Sequence, residues 1–394
     1  MHQNAERLNI VVVGGGLAGL TALKSLSDEV DRSKYGLILV TARPYFTHLP
    51  GTIRAILTAE GSLEDRIRMP YDELANKNAF KVIIGELASI EDNEKQGGVI
   101  TLGSGERVPY TVLVLATGRR HQGPLDYPDT LEQSDEWIAR WRTNFKKAQN
   151  IVLVGGGAAA TEMAGEIKDE WPRKNVSIIH AKEKLLNDQY PSAWRDGVTQ
   201  KLQARGVNII LNDYVDNLEI KGDGTLLLRK KHAIKADLVV PLRGTVPNTR
   251  FLLSLGENVL TNHGYVKVLP TLQLREHPRT FAIGDIIDWV EHKQGVNCAG
   301  HVSVLVPNLL ALLKGKPLKK EYQGSHEAII ISNGKACATS AGYSSFLGGI
   351  TCGDWLSSLF KSKSLMIDST RKSLGFRDKS LAEGGILPAL GIGL

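Results

Sequence analysis

The stretch Ile10-Val11-Val12-Val13-Gly14-Gly15-Gly16-Leu17-Ala18-Gly19 decides the fold. Four apolar residues in a row, all β-branched, read as a short strand buried on both faces. Gly14, Gly16 and Gly19 then form a GxGxxG pattern, and a helical pattern runs from Leu20 through Leu26. The next apolar run, residues 36–40, completes a βαβ unit. In such a unit the first glycine permits a tight turn and the second lets the backbone approach a pyrophosphate. The third lets helix and strand pack closely, while the helix N-terminus offers N–H donors and a positive dipole end.

The same grammar returns further along. Residues 151–154 form an apolar run, Gly155, Gly157 and Ala160 form the GxGxxA variant, a helix extends to about Lys168, and residues 176–179 give the next strand. Two such units imply two dinucleotides, of which the natural pair is a flavin that stays bound and a nicotinamide that exchanges. The end of the second strand in each unit normally carries an acid for the adenosine ribose. Here Thr41, followed by Arg43, stands at the first place, and His180, followed by Lys182 and Lys184, at the second. Two readings of the lysines stay open, a 2′-phosphate contact or a solvated loop, so both NADH and NADPH are expected to reduce the flavin.

Three more apolar strands end in turns. Residues 112–115 run into Ala116-Thr117-Gly118, residues 238–242 into Arg243-Gly244, and residues 281–283 into Gly284-Asp285. In a doubly wound sheet ligands sit beyond the carboxyl ends of strands. Asp285 is there to accept hydrogen bonds from a ribityl chain or to cap a helix. Short strands at 82–84 and 99–101 and a Pro/Asp/Gly-rich linker at 123–129 lie between the two units. From Ala328 onward Gly/Ser-rich alternating segments at 329–332 and 336–340 point to a small α+β tail with an antiparallel sheet.

The chain of 394 residues, 42% apolar and 23% charged, has material for two or three domains and a sizeable core. No run of about 18 apolar residues suggests a membrane span. Nine residues precede the first apolar run, and no leader is expected. Cys298, Cys337 and Cys352 make neither a CxxC nor a zinc pattern, so no metal site and no disulfide framework are expected. The expected location is cytoplasmic. A net charge of +6 does not demand nucleic acid, and the basic segments 229–231 and 314–320 lack interleaved aromatics. The tail 355–379 has apolar residues at 355, 356, 359 and 360 and a local balance of +4. That pattern fits peripheral membrane contact; packing on the body of the protein or a homodimer contact is the alternative.

Gly14–Gly19, Ala116-Thr117-Gly118, Gly155–Ala160 with Glu162, Gly244 with Pro247-Asn248, and Gly284-Asp285 fall in the order seen in two-dinucleotide flavoprotein reductases. Within these the sequence resembles the apoptosis-inducing-factor-like, ferroptosis-suppressor flavoproteins and, more distantly, type II NADH dehydrogenases. Phe46-Thr47-His48 through Arg54, the stretch 162–167, and Lys293 with Ala299-Gly300-His301 add to the likeness. The resemblance implies an α/β, glutathione-reductase-like fold with two Rossmann-like domains. These are an FAD domain (1–119 and 244–322), an NAD(P)H domain (120–243) and a small α+β C-terminal domain (323–394). It implies that NAD(P)H reduces FAD and the flavin reduces a quinone.

The resemblance maps Gly14, Gly16, Gly19, Arg54, Ala116, Thr117, Gly118 and Asp285 to FAD contacts, and Gly155, Gly157 and Glu162 to the nicotinamide side. Lys293 falls near the flavin, and His301 opens a helix aimed at the isoalloxazine carbonyl. A mitochondrial or lipid-droplet surface also enters by resemblance; Met1-His2 lacks the glycine that myristoylation needs. From the residues alone Glu162 reads as a solvated helix face; it is the resemblance that turns it toward the nicotinamide. Two rival functions stay open, a biosynthetic flavin oxidase or dehydrogenase of a small metabolite, and a basic redox-sensing interaction protein.

Overall fold

The computed structural model describes residues 8–93, 95–325, 328–334, 341–344, 350–352 and 365–377. The first strand, Leu8–Val13, pairs parallel with Tyr35–Thr41 on one side and Val112–Leu115 on the other. Lys81–Ile84 extends the sheet at one edge, and His277–Ala282 with the antiparallel Gln273–Leu274 extends it at the other. Ile10, Val11 and Val12 are wholly buried, as a strand covered on both faces requires. The helices Leu17–Glu29 and Asn297–Leu313 pack against each other beside this sheet.

A second, all-parallel sheet is built from Val207–Ile210, Asn175–Ile179, Asn150–Val154 and Leu238–Pro241, in that order. The helix Ala158–Glu170 follows its glycine turn. A 17-residue helix, Leu131–Lys147, leads into it and begins where the Thr130 hydroxyl oxygen accepts from the Gln133 N–H at 3.2 Å. Both sheets obey the period and turn logic of their sequences; the strand ends differ from expectation by a residue or a few. The chain crosses between the sheets twice, and the two crossings, Arg119–Arg120 and Val246–Pro247, pair antiparallel. They tie the two units together.

Smaller sheets complete the chain. Leu87–Asn93, Gly97–Leu102 and Arg107–Tyr110 form an antiparallel meander. Ala328–Ile331, Ala341–Ser344 and Ile350–Cys352 form the antiparallel tail sheet that the alternating texture led us to expect. The expected segment at 336–340 falls outside the described residues, as do Trp355, Leu356, Leu359, Phe360, Lys361, Lys363 and Lys379. Where the tail is described, packing on the body prevails: Leu365, Ile367, Leu374 and Phe376 are buried in the core of the first sheet, around the helix Ile367–Leu374. Among the described residues no helix is long and apolar enough to cross a membrane.

Candidate active site

The two glycine turns share one geometry. Gly14 has φ 112° and Gly155 φ 125°, values that exclude a side chain. A Cβ at Gly14 would run into the Ala116 carbonyl, and one at Gly155 into the Leu242 carbonyl. The middle glycines differ in kind: Gly16 and Gly157, each the cap of its helix, face open space. Beside them Gly15 lies against the Tyr71 hydroxyl, which donates to the Gly15 carbonyl at 2.7 Å, and Gly156 lies against the His180 ring. Tyr71 was not foreseen; it lies 56 residues from its partner, beyond local reading.

Both turns open on one continuous cavity of about 2200 Å³, well beyond the few hundred to about 1,000 Å³ of an ordinary ligand pocket. Of the foreseen residues, Gly14, Gly16, Thr41, Arg43, Ala116, Thr117, Gly118, Gly155, Gly157, Glu162, His180, Gly244, Asp285 and Lys293 line it. Gly19, Arg54 and His301 stand behind its wall. Gly19 packs on the Gly14 carbonyl, as its role in helix–strand contact requires.

Two placements correct the sequence reading. Arg54 does not reach the cavity; its guanidinium is committed to Glu166 on the helix Ala158–Glu170. His301 is 1% exposed and lies one turn inside its helix, which starts at Asn297. Its Nδ1 accepts the Gly284 N–H at 3.1 Å, so Nε2 carries the proton and donates to Glu291 at 3.0 Å. His301 is therefore a brace for the Gly284-Asp285 turn. The Tyr322 hydroxyl donates to the other oxygen of Glu291 and completes the brace.

Asp285 sits on that turn at the end of His277–Ala282. Burial pushes its carboxyl pKa up, and Arg119 and Lys293 pull it back. Burial also lowers the pKa of Lys293, whose ammonium donates to the Trp289 carbonyl at 3.0 Å. Thr117 donates to the Asn248 carbonyl at 2.6 Å. Arg43 donates to Asp129 at 3.0 Å and to the Tyr127 carbonyl at 2.5 Å. Glu162 is 8% exposed, which removes the solvated-face reading; one of its oxygens accepts from both the N–H and the hydroxyl of Ser332, at 3.0 and 2.9 Å. The tail strand lines the cavity with Ile329, Ile330 and Ile331, and Ser332, just past its end, holds Glu162 from behind. Across the cavity Tyr190 stacks on His292 at 4.8 Å and 10° and receives a hydrogen bond from Gln294 at 2.8 Å, joining the two units.

The residues present fit a dinucleotide at each turn. Open space lies over Gly16 and Gly157 at helix N-termini, where phosphate oxygens find N–H donors. Tyr45 Oη, Thr47 Oγ1 and His180 Nε2 belong to cavity-lining residues and are buried without a hydrogen-bond partner among the described residues. Thiol chemistry is poorly served: burial pushes the Cys298 thiol up to about 12, with Asp285 and Glu291 adding to the effect. Among the described residues no cluster of His, Cys, Asp and Glu could hold a metal ion.

The family model described as pyridine nucleotide-disulphide oxidoreductase matches residues 8–301, the span that holds both glycine turns, Asp285, Glu291 and His301. The chain belongs to this family. Its cofactors are those of the family, FAD and NAD(P)H. An FAD-dependent oxidoreductase of Flammulina velutipes is 40% identical over 320 residues, covering 81% of this chain and 99% of that protein. Ferroptosis suppressor protein 1 of Taeniopygia guttata is 27% identical over 380 residues, covering 93% and 96%. In fold the chain is similar to the sulfide:quinone oxidoreductase of Aquifex aeolicus, with TM-score 0.74 at 18% identity, covering 94% of this chain and 92% of that one. As a member of the pyridine nucleotide-disulphide oxidoreductases the chain is an oxidoreductase.

Proposed function

We propose that this oxidoreductase takes electrons from NAD(P)H and passes them through FAD to a quinone. The observation that supports it is the single cavity lined by both glycine turns, with Asp285, Lys293 and Glu162 on its walls. In this reading residues 1–119 and 244–322 form the FAD domain, 120–243 the NAD(P)H domain and 323–394 the C-terminal domain. Bound FAD supplies hydride acceptance and the onward release of electrons.

The chain's own residues do the rest. Gly14 and Gly16 leave room for the FAD pyrophosphate at the first helix N-terminus. Asp285 accepts from the ribityl hydroxyls and is held in register by the His301–Glu291–Tyr322 brace. Lys293 would place positive charge on the wall of the flavin's site, where it would stabilise negative charge developing on the bound group. Gly157 opens the second helix N-terminus to the nicotinamide cofactor, and Glu162, fixed by Ser332, orients its nicotinamide end.

The acceptor is the finer part of the reading. The cavity wall is also made of Phe46, Ile53, Ile329, Ile330 and Ile331, and at its rim Leu49 and Met366 are 52% and 40% exposed. An apolar rim open at the surface suits a planar, apolar acceptor drawn from a lipid surface. Steady-state oxidation of NADH and NADPH, with and without a water-soluble quinone and with oxygen excluded, tests it. Turnover that depends on quinone and yields one quinol per NAD(P)H is expected. Absence of turnover with quinone under these conditions returns the choice to an oxidase or a small-metabolite dehydrogenase.

A further inference from the structure

The second glycine turn lacks the expected acid, because His180 stands at the end of Asn175–Ile179. A neighbouring strand end supplies one. Val207–Ile210 runs parallel beside Asn175–Ile179, and the chain then turns through Asn212 at φ 55°. The Asp213 N–H donates to the His180 carbonyl at 3.2 Å, so the two residues stand side by side, and both line the cavity.

Asp213 is 3% exposed. Its Oδ1 accepts from the Tyr214 N–H at 2.8 Å and the Lys230 N–H at 3.2 Å. Its Oδ2 has no hydrogen-bond partner among the described residues, and the His232 ring is 4.0 Å away. His180 Nε2, next door, is likewise buried and without a partner among the described residues. Burial, with Lys182 and Arg195 nearby, lowers the His180 pKa and favours the neutral ring. A buried carboxylate oxygen left without a donor is costly. A carboxylate and a neutral imidazole set side by side match a vicinal diol.

The basic residues around the same turn are already engaged. Lys182 pairs with Asp188 at 2.8 Å, Lys184 with Asp196 at 2.6 Å, and Arg229 with Asp216. Arg243 donates to the Val215 carbonyl at 2.6 Å. A 2′-phosphate would meet compensated cations and the added negative charge of Asp213.

We propose that Asp213, with His180, binds the ribose hydroxyls of the adenosine end and makes the site select NADH over NADPH. The proposal rests on the reading of the second turn as the NAD(P)H site, and it replaces the near-equal use of both cofactors that Lys182 and Lys184 imply in the sequence. Nothing in it depends on the nicotinamide ring, so fragments lacking that ring are the probes.

Calorimetric titration of the full, FAD-loaded chain with ADP-ribose and with 2′-phospho-ADP-ribose tests it. The wild type is expected to bind ADP-ribose about ten- to hundredfold more tightly, the scale of one charge-assisted hydrogen bond gained and one repulsion avoided. Asp213→Asn keeps Oδ1 for the two N–H donors and should narrow that ratio to within a few-fold. Asp188→Asn, which frees Lys182, should raise affinity for the phosphorylated fragment and serves if the first variant does not fold. A wild-type ratio near one, or a ratio that Asp213→Asn leaves unchanged in a folded protein, overturns the assignment. If neither fragment binds and neither NADH nor NADPH reduces the flavin, the proposed function falls and the assignment with it.

Discussion

Arg54 and Glu166 meet as a buried, two-pronged pair, with Nε to Oε2 at 2.9 Å and Nη2 to Oε1 at 2.7 Å. Arg54 lies in the short helix Thr52–Ala55 of the first unit, and Glu166 on the helix that follows the second glycine turn. The pair therefore sets one turn relative to the other. Removing one partner leaves a buried charge uncompensated, at a cost of about 3–5 kcal/mol. Arg54→Ala should lower the denaturation midpoint sharply, whereas the neutral pair Arg54→Met with Glu166→Leu should recover most of the loss and keep the flavin. If Arg54→Ala alone is silent, the pair does not join the units.

Glu162 is held by the N–H and the hydroxyl of Ser332, which fixes the direction of its carboxylate. Glu162→Gln should slow reduction of the flavin by NAD(P)H about ten- to hundredfold, the worth of one charge-assisted hydrogen bond. Ser332→Ala should slow it less, because the backbone donor remains. Reoxidation by quinone should barely change in either. Stopped-flow absorbance separates the two half-reactions; equal damage to both points to misfolding and removes Glu162 from the nicotinamide end.

Asp285 stands half-buried on the turn that follows His277–Ala282. Asp285→Ala should lower FAD affinity about ten- to hundredfold, because buried ribityl hydroxyls lose their partner. Flavin content of the purified variant, read from its absorbance after heat release, checks this. His301→Ala should act in the same direction more weakly, since it removes a brace and not the acceptor. A wild-type flavin content in Asp285→Ala refutes its placement at the ribityl chain.

What was legible in the sequence was local. The strand, the positive-φ glycine and the helix of each unit lie within about twenty consecutive residues. The apolar runs and glycine spacings therefore carry them without knowledge of the rest of the chain. What was not legible was contact across sequence. Arg54 and Glu166 are 112 residues apart, and Glu162 and Ser332 are 170 apart. No periodicity links them, so the sequence alone shows neither that Arg54 turns to Glu166 nor that Glu162 is buried. The bonds of His301 are hidden for a related reason: its partners Gly284 and Glu291 come from a turn and a loop that carry no helical pattern. Asp213 carries no such signal either, because the ribose acid normally ends the second strand of the unit and this acid stands beyond the third.

Asp237 offers a test of the second unit by pH. One of its oxygens accepts from the N–H groups of Gln149 and Asn150 at 2.9 and 2.7 Å and from the Asn150 side chain at 3.0 Å, and these bonds hold its carboxyl below the usual range. A depressed folded-state pKa means stability that is present above the unfolded value near 3.9 and lost as pH falls through the folded one. Asp237→Asn should therefore cost about 0.5–1 kcal/mol at neutral pH, discounted for an exposed group. The gap between wild type and variant should close below the folded-state pKa. Thermal denaturation at a series of pH values checks it; a gap that widens on acidification inverts the assignment.

The basic tail is best tested by charge, not by truncation. Leu365, Ile367, Leu374 and Phe376 are buried in the core of the first sheet, and Lys24 donates to the Ser373 carbonyl at 2.6 Å. A chain ending at Gly353 would open that core and confuse anchoring with unfolding. Lys361 and Lys363 lie outside the described residues, in the segment whose sequence pairs basic groups with Trp355, Leu356, Leu359 and Phe360. Each basic residue near an anionic surface contributes about 1 kcal/mol. Lys361→Glu with Lys363→Glu should therefore weaken sedimentation with phosphatidylserine vesicles by well over tenfold at low salt. High salt should release the wild type, and NADH oxidation by a water-soluble quinone should stay intact in the variant. Equal sedimentation of the two proteins, or none at low salt, rules out this segment as an anchor, and the apolar acceptor would then reach the rim at Leu49 and Met366 by another route.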